Sequence, residues 1–208
     1  MHAVRPRRLA CSILAAVVAA AAPLGRAPPA RWPAGSVVPF WIQKERARER
    51  NRELVRLALA NWQEASVGRI RFEESEEFEA AKLRVFFTGA FPDFGTAKPQ
   101  VDPETREILR ADVIVVSDPM GDRLQRDLVV YLTALHELGH ALGLGHSERR
   151  GEIMYGFHGP ADAEWTFRNY RRKLRSLEDI GSARASGITE ADRRAIAALY
   201  AADRRAVQ

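Results

Sequence analysis

The chain has 208 residues, and its 32 lysines and arginines against 27 acidic residues give a formal net charge of +5. Four of the arginines and none of the acids lie in residues 1–27, so the remainder is close to neutral and nucleic-acid binding is not expected as the main function. The remaining length of about 180 residues suits one domain with a buried core, and no internal repeat divides it.

Residues 1–27 are predicted to be a signal peptide. Three arginines precede an apolar run at residues 9–22, which is too short to span a bilayer and is followed by small residues. We expect cleavage between residues 20 and 30 and export to a periplasm or to the outside of the cell, with no stable membrane span left afterwards. Cys11, the only cysteine, leaves with this segment, so no disulfide is expected in the mature protein.

The first half of the mature chain predicts a sheet and one long helix. Valines and aromatic residues at 36–42 predict a buried strand, and apolar residues at helical spacing predict an amphipathic helix at 45–66. Alternating apolar and polar residues predict further strands. These lie at 69–73, 82–88 and 111–117, and residues 90–110 are predicted as loops around one short strand.

A histidine-rich motif of eleven residues, His-Glu-Leu-Gly-His-Ala-Leu-Gly-Leu-Gly-His, starts at His136. On a helix, His136 and His140 are one turn apart, so both rings project from one face toward a common metal ion. Gly143 then permits a sharp turn that can return His146 as a third ligand. Three nitrogen ligands leave one tetrahedral position open for water, so the motif predicts a catalytic zinc site.

Glu137 is the candidate general base. It lies about 100° around the helix from His136, near enough to hydrogen-bond a metal-bound water. An apolar stripe on the opposite side of the helix comprises Leu128, Tyr131, Leu135, Leu138 and Leu142. A histidine pair on a helix can be an ordinary structural feature, and a bare His-Glu-x-x-His occurs by chance. The longer motif favours the catalytic interpretation because each fixed position has a mechanical reason.

The pattern His-Glu-x-x-His-x-x-Gly-x-x-His resembles the metzincin signature, and Ser147 after it resembles the matrixin branch, the family of the matrix metalloproteases. Residues 152–155 resemble the metzincin Met-turn, which implies that Met154 is a hydrophobic floor beneath the metal and not a ligand. The resemblance implies an α+β zincin fold: a twisted mixed β-sheet, a long first helix, an active-site helix and a C-terminal helix. We assign the catalytic domain to residues 31–204.

The same resemblance implies a secreted zinc endopeptidase that acts on protein or peptide substrates, and we expect a monomer. One zinc ion held by the three motif histidines would activate a water, and Glu137 would accept its proton. In the family an edge strand before the zinc helix pairs with an extended substrate, a role that we expect within residues 89–110. An exported zinc-binding or polymer-binding module without catalysis is the alternative.

Other metals are less well supported by the sequence. Only His2 and His158 lie outside the motif, so a second zinc of the kind that animal matrixins hold with three histidines and an aspartate is not expected. Calcium stays open, although scattered loop acids are more often solvated. Its candidate oxygen donors are Asp93, Asp102, Glu104, Asp112, Asp118 and Asp122.

The C-terminal part departs from the family. Residues 156–187 exceed the usual connection, and aromatic and basic residues interleaved within 163–179 predict an added helix near the cleft. We favour a helix that packs on the domain over one that recognises acidic substrates, polymers or nucleic acid. Thr189 is predicted to cap a closing helix with Asp192 in the capping position, similar to the last helix of matrixins.

Overall fold

The computed structural model describes residues 29–45, 47–89 and 94–201. The elements in chain order are β1 (Val37–Ile42), α1 (Glu49–Ala65), β2 (Arg71–Glu74), β3 (Leu83–Thr88), β4 (Gly95–Val101), β5 (Ile108–Val116), α2 (Arg123–Ala141), α3 (Pro160–Arg171), a short 3-10 helix (Leu177–Asp179) and α4 (Glu190–Leu199). The predicted α+β class with long first, active-site and C-terminal helices is therefore confirmed. The predicted signal peptide and Asp93 lie outside the described residues.

The five strands form one mixed sheet in the order β2-β1-β3-β5-β4. Strands β2, β1, β3 and β5 pair in parallel, whereas β4 runs antiparallel to β5 at one edge. Alternate side chains of β1 and β5 are buried, as expected where one face of a sheet is covered. Helix α2 contacts the sheet through β4 and β5 and also packs against α1 and α3.

The prediction for residues 90–110 was the least accurate. Strand β4 extends over seven residues, and β5 begins at Ile108, three residues earlier than predicted. The two strands are joined by a tight turn in which an Asp102 carboxylate oxygen accepts the N–H groups of Glu104 and Thr105. The β4 residues Gly, Lys, Pro and Gln have low strand propensity, so only pairing with β5 makes this segment a strand.

Helix α2 is the central helix and is buried along most of its length. The Asp122 side chain caps its start by accepting the Gln125 N–H at 2.7 Å. The predicted apolar stripe is confirmed, since each of its five side chains is at most 2% exposed. The Trp62 indole of α1 donates to the Leu135 carbonyl at 2.7 Å, which joins the two long helices.

The segment at 156–187 contains the predicted added helix, α3. It begins with Pro160, and Phe167 and Tyr170 are buried on one side of it. The Tyr170 hydroxyl donates to the Ala185 carbonyl and accepts the Gly181 N–H, which joins the later part of the segment to α3. The Tyr131 hydroxyl of α2 donates to the Ser186 carbonyl and the Asn61 amide of α1 donates to the Gly181 carbonyl, which joins the segment to the domain. The interpretation of an amphipathic helix that packs on the domain is therefore confirmed.

Helix α4 closes the chain with the predicted capping box. The Thr189 hydroxyl accepts the Asp192 N–H at 3.2 Å, and the Asp192 carboxylate accepts the Thr189 N–H at 2.8 Å. The Tyr200 hydroxyl, just after α4, donates to the Leu142 carbonyl at 2.8 Å. Tyr200, near the end of the described residues, is thus bonded to the end of α2, where the chain turns toward His146.

Candidate metal centre and active site

The three motif histidines lie together at the C-terminal end of α2. The Nε2 atoms of His136 and His140 are 3.1 Å apart, and those of His140 and His146 are 3.0 Å apart. Zn–N bonds of about 2.0–2.1 Å in a tetrahedral site separate two ligand nitrogens by about 3.3 Å, so the cluster fits zinc closely. Among the described residues, these histidines alone form a group of three or more side chains that could hold a metal ion.

Backbone carbonyls fix the orientation of two rings. The Nδ1 atom of His136 lies 2.6 Å from the Ile153 carbonyl oxygen, and that of His140 lies 2.8 Å from the Leu144 oxygen. Because a carbonyl only accepts, each Nδ1 carries the proton and each Nε2 directs its lone pair at the common centre. Burial lowers the pKa of His136 to about 4 and also lowers the pKa of His140, which favours the neutral rings that bind metals.

The turn that returns His146 to the cluster depends on Gly143. Its φ is +97°, a left-handed conformation that favours glycine. A Cβ atom there would also lie 1.9 Å from the Ala30 carbonyl oxygen. The Leu144 N–H donates to the Gly139 carbonyl at 3.0 Å and completes the reversal.

The side chain of Glu137, on α2, is buried against the first residue of β4. Its side chain is near Gly95, where an added Cβ would lie 2.8 Å from the Glu137 Cγ atom and 2.7 Å from the Thr133 methyl group. Only 7% of Glu137 is exposed. The Gly95 end of β4 therefore packs against a side-chain methylene group of Glu137, the residue after the first motif histidine.

Met154 lies beneath the helix that carries the histidines. A Cβ added at Gly139 would lie 2.3 Å from the Met154 sulfur, so the thioether packs against the α2 backbone between His136 and His140. The Ile153 N–H donates to the Asp192 carboxylate at 3.1 Å. Asp192 therefore holds this turn as well as capping α4, a second role that the capping pattern could not reveal.

Comparison with known proteins agrees with this geometry. The sequence profile of the matrixin family matches residues 68–169, which include all three histidines. Metalloendoproteinase 1-MMP of Arabidopsis thaliana is 31% identical over 110 residues, a match that covers 48% of this chain and 30% of the relative. Over these residues the chain is similar to the matrixin family. It spans about a third of the length of that relative.

A series of three phenylalanine rings starts next to the histidine cluster of this matrixin-like domain. The Phe157 ring lies 6.4 Å from His136 at an interplanar angle of 24°, and 43% of the residue is exposed. Phe157 contacts Phe167 of α3, which in turn contacts Phe94. Sequence reasoning missed Phe157 because it lies in an irregular stretch without periodicity.

Two of the candidate calcium donors, Asp118 and Asp122, have other contacts. Asp118 pairs with Arg48, and Asp122 pairs with Arg171 of α3 in addition to capping α2. The Arg171 guanidinium and the Gln125 N–H lower the pKa of Asp122 to about 2. No described helix is both long and apolar enough to cross a membrane.

Proposed function

We propose that this protein is a zinc-dependent endopeptidase that hydrolyses peptide bonds with a metal-activated water. The observation that carries the proposal is that the Nε2 atoms of His136 and His146 lie 3.1 and 3.0 Å from the Nε2 atom of His140, while carbonyls hold two of the rings by Nδ1. The similar Arabidopsis protein is called a metalloendoproteinase, but 70% of its length lies outside the match. The proposal for this chain therefore depends on the chemistry of its own site.

His136, His140 and His146 would hold one zinc ion and leave a fourth position for water. When bound, zinc lowers the pKa of such a water toward ~7 and polarises the scissile carbonyl. Glu137 follows the first ligand, accepts the proton of the attacking water, and passes it to the leaving amine. Burial of Glu137 against β4 keeps bulk water from competing for the carboxylate.

Recognition of the substrate main chain is assigned to the free edge of β4. Among the described residues, β4 has a neighbouring strand on its β5 side only. An extended peptide can add to such an edge through backbone hydrogen bonds, which are independent of side-chain identity. Since Gly95 touches Glu137, a peptide on this edge would pass beside the proposed base.

We also propose that residues 1–27 are removed on export and that residues 31–204 act as a monomeric catalytic unit. The support is the arginine-flanked apolar run at the start of the chain. N-terminal sequencing of protein recovered outside the cytoplasm tests the export. A first residue before position 20 would contradict it.

The Glu137→Ala variant tests the catalytic role. We expect it to bind one zinc ion per chain and to lose hydrolysis by about 100- to 10,000-fold, since general base catalysis contributes that much. Glu148→Ala is the matched control because Glu148 is an exposed acid close in sequence to the cluster. Zinc content by mass spectrometry and turnover of a fluorogenic peptide are the measurements. Near-normal turnover of zinc-loaded Glu137→Ala would contradict the mechanism.

A further inference from the structure

The hydrogen-bonding direction of each β4 residue follows from its pairing with β5. The Val116 N–H donates to the Phe94 carbonyl at 2.9 Å, and the register then pairs Thr96 with Ile114 and Lys98 with Asp112. In an antiparallel ladder, alternate residues bond to the partner strand. The N–H and C=O groups of the even-numbered β4 residues therefore form hydrogen bonds with β5.

The odd-numbered residues direct their backbone groups away from β5. The opposite strand agrees, because Ala111, which faces Pro99, donates its N–H to Lys82 on the other side of β5. Gly95, which is buried, and Ala97, which is half-buried, thus each direct one N–H and one C=O away from β5. Pro99 offers a C=O alone, since proline has no N–H.

This position fits the usual confinement of proline to the outer side of an edge strand. The position of Pro99 matters for substrate binding because the same edge begins at Gly95, beside Glu137. At about 3.4 Å per residue, Pro99 lies about 14 Å along the strand from that point. A peptide that extends past Ala97 therefore meets a residue that cannot donate to its carbonyl.

We propose that Pro99 limits the length of substrate main chain that this edge can bind, so that complete pairing stops after Gly95 and Ala97. This inference rests on the proposed function of the edge. The substrate class that follows is a short extended segment, such as an exposed loop, in preference to a long strand. Beyond Ala97, side-chain contacts determine which substrates bind.

The experiment measures peptide affinity in a background that does not cleave. Fluorescein-labelled peptides of a cleaved sequence, or of a library consensus, are extended residue by residue from the scissile bond in both directions. Their dissociation constants are measured by anisotropy for Glu137→Ala and for Glu137→Ala with Pro99→Ala. The control adds Lys98→Ala instead, since the Lys98 backbone is already committed to β5.

We expect Pro99→Ala to tighten binding by about two- to tenfold, the value of one added hydrogen bond, and only for peptides long enough to reach position 99. Short peptides should bind equally to both proteins, and Lys98→Ala should give no such length dependence. Equal affinities at every length would overturn the proposal. So would concentration-dependent self-association of Pro99→Ala without a change in peptide affinity, because proline would then serve only to block edge-to-edge pairing. Absence of hydrolysis by the wild type would instead refute the proposed function, and the binding comparison does not require hydrolysis.

Discussion

At the scale of single residues, the site depends on backbone positions as much as on the histidines. Gly143 must satisfy two conditions, a φ of +97° and the close approach of the Ala30 carbonyl. Gly145, two residues later, satisfies neither, since an added Cβ would have nothing within 4 Å. The two glycines therefore have different tolerance for a side chain.

Gly143→Ala should lower both stability and zinc occupancy. A left-handed non-glycine residue costs about 1–3 kcal/mol, and the overlap with Ala30 adds to that cost. Gly145→Ala is the control and should change stability by less than about 0.5 kcal/mol. Thermal unfolding and zinc content of both variants are the measurements. Equal behaviour of the two variants would show that the turn does not require glycine.

The site residues that could be predicted are those that lie close to one another in the sequence. His136, His140 and His146 could be recognised because one helical turn and one glycine turn relate them. The hydrogen bond between Asp192 and Ile153 spans 39 residues and has no local signal. Phe157 is likewise near His136 only because the chain folds back from the Met-turn.

At the scale of elements, periodicity predicted α1 because its buried residues form one stripe, whereas α2 is buried on most sides and was predicted from the histidine spacing and the apolar residues opposite it. Strand β4 was difficult to predict because its propensities are poor and its partner supplies the order. The start of α1 was predicted four residues too early, since apolar spacing does not mark the first helical residue. Arg48 is extended there, and α1 begins at Glu49.

The C-terminal end of α1 contains an unfavourable residue. The Gly68 N–H donates to the Gln63 carbonyl and the Val67 N–H donates to the Glu64 carbonyl, which is the Schellman arrangement. Its left-handed position is usually glycine, but here it is Val67, with φ of +54° and 80% exposure. A β-branched residue is strained in this conformation.

Val67→Gly should therefore stabilise the fold by about 1 kcal/mol, which corresponds to about 2–4 °C in melting temperature for a domain of this size. Val67→Ala removes the branch but retains a left-handed side chain, so its gain should be smaller. Melting temperatures of the three proteins provide the test. A less stable Val67→Gly would mean that the Val67 side chain contributes more than its strain costs.

At the scale of the whole molecule, both ends of the described chain converge on the end of α2. The Trp32 indole donates to the Ala141 carbonyl at 2.9 Å, and Tyr200 donates to the next carbonyl, that of Leu142. These bonds satisfy carbonyls that a helix end leaves without partners. The geometry of the third ligand is thus coupled to the folding of the whole domain.

The central claim is that three histidines hold a zinc ion used for peptide hydrolysis, and one measurement tests it most directly. The mature protein is assayed for zinc content and for cleavage of a mixed peptide library before chelation, after chelation and after zinc is restored. We predict one zinc ion per chain. We also predict that chelation abolishes cleavage and that added zinc restores it. Cleavage that persists without metal would contradict the account, and so would a zinc-loaded protein that cleaves nothing, which would favour the non-catalytic binding module.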